Sequence, residues 1–459
     1  MTIAPSNHGG LNHMDPDWAW APWTESAEEK WDRARVAKLF RRAGFCASED
    51  TLRQSVADGP DKSVDQLFSM EGQSPFERES DGIAATVKAT GDPKNLVTWW
   101  LHRIVSNPNS LLEKMTLFWH GHFATSAEKV LDVELMLEQN QLLRKHAIGD
   151  FRTMIHGISK DPAMLIYLDS VTNRKAHANE NYARELMELF CLGEGNYSES
   201  DVQQLARCFT GWEIRRKQFR FNRYQHDTGM KELLGKTNVG SGEEAIDRVL
   251  DSPHLPYFIA SKLFRFFVCD EPRPDRTLLK PLAERFASDQ LQLQGMLRML
   301  IRSQVFLSDW SDGRKIRSPI DLAVGFLTTL EATTNLERLA NQLKEIGQAL
   351  FFPPNVKGWD GGRAWINSST LVGRANLVHQ VVRDENTRFQ SGSISAFAAK
   401  QSWGSPEDLL LWMEQNFFAV VIRNENRQAI ASKFMGKSGE EMMKEIISLL
   451  ATFPEIHLS

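Results

Sequence analysis

Along most of this chain the apolar residues recur every three or four positions, the spacing of one face of an α-helix. In SAEEKWDRARVAKLFRRAGF, residues Trp31, Ala34, Val36, Leu39 and Phe40 mostly follow that spacing. Ser26 and Glu29 make a capping-box pattern ahead of them, and Gly44 offers a stop. NLVTWWLHRIVSN and NSLLEKMTLFWHGHF read as two more apolar-faced helices, and the stretch from Asp132 to Asp169 as two or three. In SESDVQQLARCFTGW, Ser198 and Asp201 form another capping box, with Val202, Leu205, Ala206 and Phe209 on one face. Ser318, Pro319 and Asp321 open a helix in the same way.

The pattern breaks in a few places. Phe219 and Phe221 alternate with polar residues in WEIRRKQFRFNRYQHDTG, which predicts a short hairpin. Residues 71 to 93 are polar and punctuated by Gly and Pro, which predicts a loop. FPPNVKGWDGGRAWINSS reads as a long irregular loop. The fold class expected is therefore mostly α, a multi-helix globular array with a small β-hairpin and no large sheet. Three regions are expected. Residues 1–26 form an irregular arm, 27–385 a main helical domain of one or two lobes, and 386–459 a linker with a C-terminal helical segment.

Composition narrows the functional classes. The 459 residues carry a net charge of −5 with both signs mixed, so no basic stripe for nucleic acid is present. No run approaches the length of a membrane span, and no basic segment followed by an apolar one opens the sequence. As written, the chain is expected to be cytoplasmic. Cys46, Cys191, Cys208 and Cys269 lack the CxxC spacing of a zinc site and are expected to be buried thiols. Thirteen tryptophans against five tyrosines is the one oddity, and several stand beside Gly and Asp in loops. They either fill gaps between helices or provide stacking platforms for a flat ligand.

Four stretches could carry chemistry. In MTLFWHGHFATS, His120 and His122 stand two apart, so on a continuing helix they point about 200° from each other and cannot share an ion. His122 would lie on the apolar face and His120 on the polar one, packed and exposed respectively. A helix ending at Gly121 would let them converge. In NENYARELMELF the polar residues fall in one arc, with Glu185 and Glu188 at i,i+3 on a carboxylate-lined wall. The plainer alternative is a solvated stripe with an Glu180–Arg184 pair. QHDTGMK sets His226 beside Asp227, a ligand pair or a base with its orienting carboxylate, with Lys231 free for an anion. GWDGGRAWINSS gathers Trp359, Arg363, Trp365 and Asn367 in a Gly-rich loop that feeds a helix start, where backbone and helix dipole could meet an anionic ligand.

Six ordered stretches carry a family resemblance. They are LFRRAGFCASEDTLRQSV, LLEKMTLFWHGHFATS, NENYARELMELFCLG, YSESDVQQLARCFTGW, HDTGMKELLG and PPNVKGWDGGRAWINSSTLVGRANL. The chain resembles the bacterial family catalogued as domain of unknown function 1800 over about residues 34–385, with a weaker echo at LLATFPEIHLS. The resemblance implies a mainly helical fold but no reaction. It also implies association with a sulfatase-like partner, since members are often encoded beside such proteins. Many members carry an export signal, which this chain does not display.

The leading expectation is an enzyme with a His/carboxylate pocket. His120, His122 and His226 would hold a divalent metal such as zinc, iron or manganese, with Glu185, Glu188, Asp227, Arg363 and Asn367 around the substrate. Metal-assisted hydrolysis of an anionic or hydroxyl-rich, glycan-like small molecule is the reaction class. The alternative is a non-catalytic binding or assembly protein that uses Trp212, Trp359 and Trp365. A third reading has the same polar residues stabilising helix ends.

Overall fold

The computed structural model describes residues 10–70 and 73–459. Twenty-four α-helices dominate them, and the strands form three two-stranded antiparallel sheets. The hairpin read from alternating phenylalanines pairs Trp212–Arg215 with Gln218–Phe221. Its turn residues, Arg216 and Lys217, both have positive φ. Lys217 is also tied to Asp132 at 2.8 Å and Glu134 at 2.9 Å.

Apolar side chains collect in two clusters. One gathers the helices Arg33–Ala43, Glu199–Cys208, Leu255–Phe267, Arg276–Ser288 and Leu293–Arg302. The other gathers Pro93–Ser106, Pro319–Thr329, Ser368–Arg383, Pro406–Phe417 and Glu440–Leu450. The helix Ser110–His122 belongs to both. It gives Leu111, Met115 and Trp119 to the first cluster and Leu117 to the second. It is buried around its whole circumference, Glu113, Lys114, Thr116 and both histidines included.

A buried charge must be paired or it costs several kcal/mol. Glu113 accepts hydrogen bonds from Arg103 at 3.1 Å, from Arg144 at 2.7 and 3.0 Å, from Trp100 at 3.1 Å and from Asn107 at 2.9 Å. Arg103 reaches on to Glu77. Against the cost of burial, the two guanidinium groups hold the Glu113 carboxyl down at about 2. Lys114 is paired with Asp321.

The structure corrects several local expectations. Gln73–Thr90 is a helix, not a loop. Phe76, Ala84 and Val87 are buried, and the Trp99 indole donates to Ser80, so this helix has a packed face despite its polar composition. Residues 71 and 72 of the expected loop lie outside the described residues. The first long helix starts at Arg33 with Asp32 as its cap, seven residues beyond Ser26. Glu29 is spent instead on the Trp23 indole and the Asp309 amide. Within 1–26, Pro16–Trp20 forms a helical turn whose Trp20 indole donates to Leu278 O. At the other end, Leu458 bridges to Ile316, and Arg317 N donates to His457 O at 2.8 Å.

Glu113→Gln should destabilise the fold by roughly 3–5 kcal/mol in urea unfolding, since it leaves buried Arg144 without a carboxylate and Arg103 with Glu77 alone. The native carboxyl titrates at about 2, below its ordinary 4.5, so its stabilising contribution is complete above 4.5. It is lost as pH falls from there towards 2. The variant should show a shallower acid limb over that window.

Candidate functional site

The helix does not stop at Gly121. It runs through His122, with Phe123 as its C-cap, so the two histidines stay on opposite sides. His120 is buried rather than exposed. Its Nε2 accepts the Phe351 amide at 3.1 Å, and the rings of Trp100, Phe351 and Trp359 surround it. Burial lowers its pKa to about 3, so it stays neutral. His122 donates from Nε2 to Phe190 O at 3.0 Å, and its pKa is lowered by burial and by Lys262.

The other expected ligands are spent elsewhere. His226 faces Thr210 O at 2.9 Å and Gly240 O at 3.2 Å, one carbonyl on each ring nitrogen. Asp227 takes a bidentate bond from Arg207 and the Gly229 amide, which hold its carboxyl at about 2. Lys231 is not free for an anion, because it donates to the carbonyls of Asp227 and Gly229. Asn367 caps the helix Ser368–Arg383 through the Thr370 amide. Arg363 is exposed and paired with Glu271 at 3.1 Å. Trp212 is buried against Phe209 and Phe219. Among the described residues no three His, Cys, Asp or Glu side chains come together as metal donors. The expected His120, His122 and His226 centre is therefore not formed. Each imidazole answers a backbone group that the fold would otherwise strand.

The carboxylate wall is different. After Glu185 the chain passes into a π-helix, Leu186–Cys191, in which Leu192 N reaches back to Met187 O. Its last carbonyls are met from outside: Leu189 O by Lys262 at 3.1 Å and Phe190 O by His122. Glu188 accepts the Tyr197 hydroxyl at 3.0 Å. Glu185 is half-buried, and no side chain among the described residues bonds or pairs with it. Partial burial and the neighbouring Glu188 raise its pKa, against a smaller lowering by Arg184 and Lys357.

One enclosed space lies beside these elements. A cavity of about 280 Å³ is walled by Phe118 and His122, by Lys262, Arg265 and Phe266, and by the loop bearing Lys357, Trp359 and Trp365. The loop is locked onto the central helix. A Cβ at Gly358, whose φ is +76°, would collide with Gly121 O, and Trp359 packs over Gly121. Gly362, at φ +54°, lies against Asp270 in the same way. Gly358 thus serves close approach of protein to protein, while Gly361 and Gly362 also line the cavity.

The charges facing the cavity are unequal. Asp270 is paired with Lys315 and accepts the Ile316 amide at 2.7 Å, Asp321 is paired with Lys114, and Asp360 is the third acid on the wall. Lys262, Arg265 and Lys357 have no carboxylate within ion-pair distance among the described residues. Lys262 is pulled down to about 8, first by burial and then by Arg265. Lys262, Arg265, Lys315 and Asp270 were not among the residues singled out from the sequence. The signal was available in FIASKLFRFF, where a Lys and an Arg interrupt an otherwise apolar helix three residues apart.

The fold and site define a mainly helical protein with a partly enclosed, cation-bearing and aromatic-walled cavity between two apolar cores. The chain belongs to the family described as protein of unknown function (DUF1800), whose model matches residues 38–458. The match runs through the C-terminal segment that the sequence reading set apart. Neither a curated protein nor a solved structure matches the chain significantly. No helix among the described residues is long and apolar enough to cross a membrane.

Titration of Glu185, followed by carboxyl ¹³C shifts, should show a midpoint above the ordinary carboxylate range. Glu188→Gln should lower it and Lys357→Ala should raise it further. A midpoint that ignores both changes would separate Glu185 from its assigned neighbours.

Proposed function

We propose that this protein binds an anionic small molecule carrying a flat, apolar part, in the cavity beside the central helix. The supporting observation is the meeting of Lys262, Arg265 and Lys357 in one partly enclosed space without carboxylate partners. Lys262 and Arg265 are partly buried, where less water screens their charge from an anion, and Lys357 adds its charge from the exposed rim. Trp359, Trp365, Phe118 and Phe266 supply the apolar wall. Sulfate and phosphate esters of aromatic alcohols suit both halves. The sulfatase-like partner expected from the family would handle the same groups.

Acid–base chemistry on that ligand is favoured by one feature. Glu185 is a half-buried carboxyl without a hydrogen-bond partner, its pKa is raised, and it feels Lys357 at the cavity wall. A carboxyl whose pKa is raised is better suited to general-acid work than an ordinary one. Hydrolysis is the reaction class, and Glu185 is its candidate residue.

Tryptophan fluorescence tests the binding. Titration with 2-naphthyl phosphate and 2-naphthyl sulfate should quench emission saturably, and neutral 2-naphthol should bind much more weakly. Lys262→Ala and Lys357→Ala should each weaken the esters about tenfold, or ~1.4 kcal/mol. Equal binding of the naphthol, or indifference to both lysines, would overturn the proposal.

A further inference from the structure

A second group of cations lies deeper, where no ligand could be read from the sequence. Arg41, Arg317 and Arg374 are 5%, 2% and 0% exposed. They meet at the C-terminal end of the helix Pro406–Phe417. Arg41 donates to Asn416 O at 3.4 Å, Arg317 to Phe417 O, and Arg374 to the carbonyl of Arg317 at 2.9 Å. His457 stands beside them, its carbonyl taking the Arg317 amide. None of the three arginines lines the cavity described above.

These contacts leave much unmet. Arg41 Nε, Arg317 Nη1, Arg374 Nε, Arg374 Nη1 and His457 Nδ1 are buried without a hydrogen-bond partner. The nearby acids are already taken: Asp312 by Lys38 at 2.7 Å, Asp321 by Lys114 and Asp270 by Lys315. The Cys46 thiol is the other acidic group facing Arg41 and Arg317. Backbone carbonyls and the negative end of a helix dipole can satisfy some N–H groups, but together they supply only about half a charge. Three desolvated guanidinium groups need more than that.

We propose that Arg41, Arg317 and Arg374 enclose a small inorganic anion of the halide class, which accepts the unmet N–H groups and neutralises the cluster. Bound chloride would then be a structural component of the fold, joining the helices Arg33–Ala43 and Ser368–Arg383 to the segment that precedes Pro319–Thr329.

Thermal unfolding of the full chain tests this. After exhaustive exchange into sodium gluconate, chloride or bromide added at constant ionic strength should raise Tm saturably, by a few degrees, because ligand binds only the folded state. The cavity double variant Lys262→Ala/Lys357→Ala should keep that response, which separates this site from the cavity. Arg41→Met should flatten it, as should Arg374→Met wherever that variant folds. Identical Tm values in chloride and gluconate would overturn the proposal, leaving water as the partner. A halide response that survives in folded Arg41→Met would equally remove the assignment to this cluster.

Discussion

The helix Ser110–His122 has no solvent face, and that single constraint organises its surroundings. Each polar side chain it carries has to be answered from another element. Glu113 draws in Arg103, Arg144, Trp100 and Asn107. Lys114 draws in Asp321 at the start of Pro319–Thr329. His120 accepts a hydrogen bond from an amide of the segment before the glycine-rich loop, and His122 donates one to a carbonyl of the π-helix. The two apolar cores are thus held against one helix by polar contacts that point outward from it in every direction. Satisfied networks of this kind favour one arrangement of their partners, because any other leaves a charge stranded.

Much of this architecture was legible in the sequence. Helical periodicity and the capping boxes at Ser198 and Ser318 located helix starts that the structure reproduces. Alternating phenylalanines located the hairpin. Local signals failed where a tertiary contact decided the outcome. Gln73–Thr90 is helical because a few apolar residues pack on Pro93–Ser106, although its composition is that of a loop. Gly121 did not stop its helix: the helix runs on through His122, and the Gly121 carbonyl lies against Gly358, which is the position that has no room for a Cβ.

The site was legible only in part. The histidines stood out as potential donors, but a histidine that serves a backbone carbonyl has the same sequence signature as one that serves a metal. His226 and His122 are both of the first kind. The cavity cations were harder to see, since Lys262, Arg265, Lys315 and Lys357 come from three separated segments. What unites them is the pairing of the neighbouring acids with other lysines, and that is a property of the fold alone. The same imbalance deepens behind the cavity, where arginines outnumber the acids left to meet them.

The π-helix at Leu186–Cys191 gives the site a dependence on chain length. Its hydrogen bonds span five residues where an α-helix spans four, so this turn holds one residue in surplus. Deleting that residue would return the turn to the α span while the flanking turns keep their phase, because the wider turn absorbs the surplus. The change would be local: the carbonyls of Leu189 and Phe190, now met by Lys262 and His122, would be drawn back towards amide partners of their own helix. The width of one turn thus decides whether the central helix and the cavity wall have a carbonyl to hold.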